Sequence, residues 1–366
     1  MVVEEGEDPA TGKRSRSWHS GYRTRRQAND GLQTILSELE RGTYVAPSRG
    51  TVADFITEEW LPAVARELRP GTVAMYGTML RAYALPRIGS KLLQALRPGH
   101  LNALYEELQA SGGRGGKALS PKTMRNLHTT LHRAFRDAVG WGRISRNPAD
   151  HCNPPRFDSP EMKTWSAEEL GRFLVHVQGD RLSAAWITLA TTGLRRGELL
   201  SLRWAEVDLP AGRLSIRRTL VLVGTRPAFS VPKTDKGKRT VPIPPETVAA
   251  LKAHRASQLE ERVALGPGYE GGDLVFARED GKPLHPGSFS EAFDRRVKAA
   301  GLPKIRLHDL RHGWATMALQ AGIPAKVVSE ILGHASISIA LDTYSHAIPA
   351  MQEEAAAKVA ALIFPR

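Results

Sequence analysis

Thr191-Thr192-Gly193-Leu194-Arg195-Arg196-Gly197-Glu198-Leu199-Leu200, then Leu307-His308-Asp309-Leu310-Arg311-His312-Gly313, then Leu332-Gly333-His334 and Thr343-Tyr344-Ser345-His346, are the stretches on which the reading of this 366-residue chain turns. The apolar run at 186–190 predicts a helix that stops at Gly193, a residue tolerant of the left-handed backbone that closes helices. The next helix is expected to begin at once. Arg195 and Glu198 then stand at i and i+3, which predicts a shared helix face on which a carboxylate holds a guanidinium in one orientation. The second stretch is expected to open another helix, with His308 and Arg311 on one face. A lone His or Tyr is a core or surface residue by default. Two arginines, several histidines and a tyrosine recurring in one half of the chain are not.

Between these stretches, 213–223 and 239–243 are rich in branched residues and read as two strands. The turn-forming run Pro232-Lys233-Thr234-Asp235-Lys236-Gly237-Lys238 separates them, predicting a hairpin with lysines at a mobile tip. His308 and His312 imitate a zinc pair by their spacing. The Glu that a metalloprotease helix carries after its first His is absent, Asp309-Leu310 standing in its place. The single cysteine, Cys152, supplies no thiolate set and no internal disulfide. No metal is expected, and no Gly-x-x-x-x-Gly-Lys-Ser/Thr loop calls for a nucleotide.

Charge points to the partner. Lys and Arg number 51 against 38 Asp and Glu, a net +13. Such a surplus favours a polyanion, because each neutralised phosphate releases condensed counterions. A membrane is not the expected partner: no apolar run reaches the roughly 18 residues of a spanning helix, and no basic amphipathic helix has a bulky apolar face. The acidic start, Met1 to Asp8, has no signal-peptide core, so a cytoplasmic protein at the bacterial nucleoid is expected.

Upstream, residues 1–46 read as a small domain: a strand at 2–5, a turn at 8–13, a strand at 15–22, and a helix at 25–41 with Leu32, Ile35, Leu36 and Leu39 on one stripe. Lys13, Arg14, Arg16, Arg23 and Arg25 are basic, with Trp18 and Tyr22 interleaved, and form a candidate DNA face or a plain solvated one. Whether this domain begins upstream of Met1 is left open. Residues 50–150 read as all helix. Thr51 caps one helix and Thr72 another, a third covers 101–108, and Ser120-Pro121 starts a fourth with Met124, Leu127, Leu131, Ala134, Phe135 and Ala138 at helical spacing. Lys122, Arg125, Arg133 and Arg136 lie off that stripe as a second candidate DNA face. A Pro-rich linker at 151–165 leads to a capping box of Ser166 and Glu169 that opens a domain at 166–349, with a tail helix at 350–366.

Thr-Gly-Leu-Arg-x-x-Glu-Leu, His-Asp-Leu-Arg-His, Leu-Gly-His and Tyr-Ser-His, in this order and near these spacings, resemble the tyrosine recombinase (phage integrase) family over residues 160 to 350. More weakly, the helical segment looks like the family's core-type DNA-binding domain, and the basic start like the arm-type domain of mobile-element integrases. The resemblance implies an α+β, mainly α, fold: a hairpin-and-helix first domain, a helical core-binding bundle, and a mostly helical catalytic domain with a small antiparallel sheet. It makes Arg195 and Arg311 catalytic arginines and Glu198 a supporting acid. It also makes Lys233 the hairpin lysine, His308 the partner of Arg311, His334 the later His/Trp position and Tyr344 the nucleophile.

The implied reaction suits these residue types. Two arginines fork onto the non-bridging oxygens of a phosphodiester and stay charged at any usable pH. Tyrosine, with a free pKa near 10, needs neighbouring positive charge and a proton acceptor such as His308. The leaving 5′-oxygen takes a proton from the lysine. A 3′-phosphotyrosine conserves the bond energy, so neither ATP nor metal is expected. The implied partners are double-stranded DNA at core and arm attachment sites and a homotetramer that works through a Holliday junction. A host bending protein or directionality factor, and whether the sticky tail docks in cis or in trans, stay open. A DNA-binding relative without catalysis and a type IB topoisomerase are the alternatives.

Overall fold

The computed structural model describes residues 2–7, 14–18, 20–156, 162–231 and 237–333, with 336, 360, 363 and 364. The chain divides into two compact units, residues 1–159 and 160–366. The fold is α+β and mainly helical, with small antiparallel sheets.

The first unit starts with β1 (Val2–Glu7) and β2 (Arg14–Trp18), an antiparallel pair with Val2 opposite Trp18 and an irregularity between Glu4 and Gly6. The second strand ends at Trp18, short of the expected 22; Gly21, at φ 95, turns the chain instead. Thr24 caps α1 (Arg25–Glu40), accepting the Gln27 N–H at 3.2 Å. Of the expected apolar stripe only Ile35 is buried and Leu36 is exposed, because one hairpin and one helix cover a narrow strip.

The helical bundle follows. Thr51 and Asp54 form a reciprocal capping box at the start of α2 (Val52–Asp54). The chain then passes through a π-helical stretch, Phe55–Trp60, into α3 (Leu61–Val64). After α4 (Pro70–Met79), a second π-helical stretch, Leu80–Ala84, leads into α5 (Leu85–Ile88). Pro62 and Pro86, in the first turns of α3 and α5, have no N–H for the regular ladder, which accounts for the widened turns before them. Thr72 is not a cap: α4 begins at Pro70 with Arg69 as its cap residue, since proline's fixed φ suits the first turn. The unit is completed by α6 (Pro98–Ser111) and α7 (Pro121–Gly140), the latter capped by Ser120. All six predicted stripe residues of α7 are buried in a core shared with Phe55, Ile56, Trp60, Leu80 and Leu101.

In the second unit the Ser166–Glu169 capping box opens α8 (Ala167–His176). Next come α9 (Ser183–Thr192) and α10 (Arg196–Leu199), then β3 (Val207–Asp208), β4 (Arg213–Ile216), β5 (Thr219–Val223), β6 (Arg226–Ser230) and β7 (Arg239–Pro242). Among the described residues the helices α11 (Pro245–Leu265), α12 (Pro286–Ala299), α13 (Asp309–Gln320) and α14 (Ala325–Leu332) follow. The core is aromatic at its centre, where Trp186 stacks on Phe289 at 4.5 Å and Phe173 and Phe293 close around them. A smaller cluster, Ala315, Ala318, Leu319, Val328 and Leu332, lies between α13 and α14.

The strands correct the sequence reading. The stretch 213–223 is two strands in two sheets: β4 sits between β3 and β7, while β5 pairs with β6, which went unpredicted. The described hairpin turns at Gly224-Thr225, with Gly224 at φ 63 in the first central position. Residues 232–236, the linker residues 157–161 and most of the tail lie outside the described residues.

Candidate active site

The site is assembled where α9 ends. Gly193 closes that helix at φ 61, and its N–H reaches Leu189 O at 3.2 Å. Space as well as conformation requires glycine: a Cβ would stand 2.7 Å from Leu332 Cδ2 and 3.0 Å from Trp314 Cε3. Trp314 Nε1 donates to Thr191 O at 2.9 Å and so fastens α13 to the same helix end.

The spacing of Arg195 and Glu198 predicts a shared helix face, and the structure does not form one. Arg195 is the extended cap residue of α10, and Glu198 folds back under it. The Glu198 carboxylate accepts the Arg195 backbone N–H at 3.0 Å and Arg195 Nη1 at 2.8 Å. Local capping wins over the helix-face register because the first N–H groups of a helix have no intrahelical acceptor. Glu198 is 3% exposed, whereas the Arg195 side chain is 40% exposed, open to a ligand.

A residue that the sequence reading missed completes the pair. Arg239, at the start of β7, forks onto Glu198 with Nη1 to Oε1 at 3.2 Å and Nη2 to Oε2 at 3.0 Å. Its side chain is 8% exposed. Strand alternation held the signal, since Arg239 sits two residues from the buried Val241 and so faces inward. Burial alone would raise the pKa of Glu198; hydrogen bonding and charge from Arg239, then the charge of Arg195, outweigh it and hold the carboxyl below its ordinary value.

Arg311, buried on α13, donates from Nη1 to Gly193 O and from Nη2 to Leu332 O, each at 2.8 Å. His308 is the cap residue of α13, exposed at the surface yet crowded enough for lost hydration to dominate its titration. That loss, then the positive charge of His312, Arg311 and Arg195, pushes it down to about 4, while Asp309 pulls the other way. The ring is therefore neutral near pH 7 and can accept a proton. Asp309 is held by Arg306, whose Nη2 donates to Oδ1 at 2.7 Å and whose backbone N–H donates to Oδ2 at 2.7 Å. The His308 and His312 rings lie 4.9 Å apart, and no group of three or more His, Cys, Asp or Glu side chains among the described residues could hold a metal ion.

The structure thus brings Arg195, Glu198, His308 and Arg311 together around the end of α9. Lys233, His334 and Tyr344 lie outside the described residues. Immediately before His334, α14 ends and Gly333 adopts the left-handed conformation at φ 66.

Residues 167–351 match the model of the phage integrase family. The chain belongs to that family. It is a tyrosine recombinase, an enzyme of DNA strand transesterification, and its partner is DNA. It is 30% identical over 357 residues to a tyrosine recombinase XerC-like protein of Caldanaerobacter subterraneus subsp. tengcongensis, covering 91% of this chain and 88% of the relative. It is 28% identical over 312 residues to the integrase of Mycobacterium phage L5, covering 85% and 79%. Among solved structures, the Tn1549 transposon integrase with a circular intermediate DNA superposes at a TM-score of 0.69, with 22% identity, over 83% of this chain and 99% of the other. The lambda integrase tetramer on a Holliday junction gives 0.60, with 19% identity, over 93% and 94%.

The recombinase's expected DNA-contacting residues divide. Arg23 and Arg25 are exposed at the start of α1, and Lys122, Arg125 and Arg136 are exposed on α7. Arg14 and Arg16 lie on β2, opposite Glu7 and Glu4 in register, and Lys13 lies outside the described residues. Arg133 departs from the expectation: it is only 28% exposed, with Nε 3.8 Å from Asp137, which also accepts Trp60 Nε1 at 2.9 Å. No helix among the described residues is long and apolar enough to cross a membrane.

Proposed function

We propose that this recombinase integrates and excises a mobile element through a 3′-phosphotyrosine at Tyr344, with Arg195 and Arg311 binding the non-bridging oxygens of the scissile phosphate. His308 accepts the phenolic proton, Lys233 protonates the leaving 5′-oxygen, and His334 donates a hydrogen bond to the phosphate. The observation that carries this reading is the convergence of a half-exposed Arg195, a buried Arg311 and His308, the cap residue of the helix that bears Arg311, on one helix end. Two fixed guanidinium groups lower the barrier where the transition state gathers charge, by about 3–4 kcal/mol each, and their charge favours the phenolate form of the nucleophile.

The likeness to the Tn1549 integrase with circular intermediate DNA and to the lambda integrase tetramer on a Holliday junction supports assembly of four protomers on two duplexes. In this scheme residues 50–150 hold the core site with the 166–349 domain, across a linker at 151–165. Residues 1–46 hold distal arm sites, making each protomer bivalent. A host bending or directionality factor would act on the arm-bound state, and the work takes place at the bacterial nucleoid. The test is covalent trapping on nicked suicide duplexes tiled across the DNA that flanks the gene. Wild type forms a denaturation-resistant adduct; Tyr344→Phe binds the same DNA and forms none, and an adduct with Tyr344→Phe would remove Tyr344 as nucleophile. Arg195→Ala and Arg311→Ala slow adduct formation by at least several hundredfold, about 4 kcal/mol apiece.

A further inference from the structure

Three consecutive carbonyls close α14, and each accepts from a different arginine. Arg239 Nε donates to Ile331 O, Arg311 Nη2 to Leu332 O at 2.8 Å, and Arg195 Nη2 to Gly333 O at 3.2 Å. The last carbonyls of a helix have no intrahelical donor. Here they are satisfied by three guanidinium groups that arrive from β7, from α13 and from the cap of α10, and the positive charge also suits the negative end of the helix dipole. The next residue in the chain is His334.

The three arginines are not independent. The Glu198 carboxylate is filled by four hydrogen bonds, two from Arg195 and two from Arg239. Arg239 is the one of the three that binds both Glu198 and a carbonyl of α14 while being closed to solvent. Its guanidinium is committed to Glu198 and to Ile331 O. What it controls is the angle of the carboxylate that aims Arg195, and the seat of the helix end that leads into His334.

We propose that Arg239 is a positioning residue for strand cleavage: through Glu198 it orients Arg195, and with Arg195 and Arg311 it clamps the end of α14, so that the phosphate-binding side chains and the helix end that precedes His334 in the chain are set by one network. The proposal rests on the reading of the reaction given above. Arginine is required because only a planar fork reaches both carboxylate oxygens and keeps a third N–H for Ile331. Lysine supplies the charge at a single point.

The test uses the full chain with Arg239→Lys, Arg239→Gln, Glu198→Gln and the double variant Arg239→Lys/Glu198→Gln. In the free protein, hydrogen exchange of the amides at 325–333 rises by about tenfold or more in Arg239→Lys while α9 and α11 keep their protection. On a nicked duplex that wild type cleaves, single-turnover cleavage by bound Arg239→Lys falls by about 100-fold, with DNA affinity within about threefold of wild type. The double variant is no slower than Glu198→Gln, because both changes break one pathway. Cleavage within about threefold of wild type, unchanged exchange at 325–333, or losses that multiply in the double variant each overturn the proposal. Failure of both Arg239→Lys and Arg239→Gln to fold also overturns it, leaving Arg239 a structural ion-pair residue. Absence of an adduct with wild type refutes the reading of the reaction instead, and the exchange measurement still decides the clamp.

Discussion

Glu198→Gln isolates the charge that organises the site while nearly preserving shape. The carboxylate accepts four hydrogen bonds: from the Arg195 N–H at 3.0 Å, from Arg195 Nη1 at 2.8 Å, and from Arg239 Nη1 and Nη2 at 3.2 and 3.0 Å. A glutamine keeps one acceptor oxygen and turns its NH2 toward the donors that the other oxygen served. Two bonds go, at least one of them charge-assisted and worth about 1.5–3 kcal/mol. The buried Arg239 also loses its counter-charge, a change that costs about 3–5 kcal/mol in comparable pairs. These figures describe the same loss from two sides, so about 3–5 kcal/mol is expected for the unit 160–366 at neutral pH.

The pH dependence provides the check. Because the folded-state pKa of Glu198 lies below its ordinary value, its stabilisation is complete above the unfolded value near 4.3 and is lost as pH falls through the folded one. The gap between wild type and Glu198→Gln is therefore flat from pH 7 to about 5 and shrinks below about 4. Urea denaturation of the full chain measures it, with exchange protection of α9 reporting the second unit. A variant within about 1 kcal/mol of wild type at pH 7, or a gap that widens in acid, would refute the reasoning.

Three further outcomes are expected. Gly193→Ala forces a side chain into the left-handed region, at about 1–2 kcal/mol, and drives its Cβ against Leu332 and Trp314; a total near 2–4 kcal/mol in denaturant unfolding is expected, and a neutral effect would contradict the packing described at the end of α9. In the free protein, the His308 ring titrates by NMR at about 4 and stays neutral through pH 6; a midpoint at the ordinary histidine value would contradict its crowding by protein atoms and by Arg311 and Arg195. Lys122→Ala, Arg125→Ala and Arg136→Ala each reduce the slope of log affinity against log salt by about 0.9 for a lost phosphate contact. Arg133→Ala leaves that slope unchanged and lowers stability instead through Asp137 and Trp60, and the reverse pattern would put Arg133 on the DNA face.

Much of the scaffold was legible because its signals are local. Ser120-Pro121 and the Ser166–Glu169 box start α7 and α8 as read, since a capping side chain and the N–H it serves lie within one turn. The buried stripe of α7 follows from periodicity alone. Thr72 misled because a cap-competent residue says nothing about a proline two positions earlier that sets the helix start. The strands misled for a different reason. Branched residues at 213–223 report extended backbone but not which neighbour each half pairs with, and that choice sends β4 to β3 and β7 and β5 to β6.

For the site, the sequence by itself determined which residue types stand in which order, Arg195, Glu198, His308 and Arg311, with His334 and Tyr344 beyond them, and it is from these that the proposed chemistry is read. Only the tertiary structure decided how they are held. Arg239 joins Glu198 of α10 from β7, Arg311 reaches back to Gly193, and three arginines from three elements meet the last carbonyls of α14. Buried ion pairs and orphan carbonyls are satisfied by whatever donor the fold brings within about 3 Å, and that proximity belongs to packing between elements rather than to any local spacing in the chain.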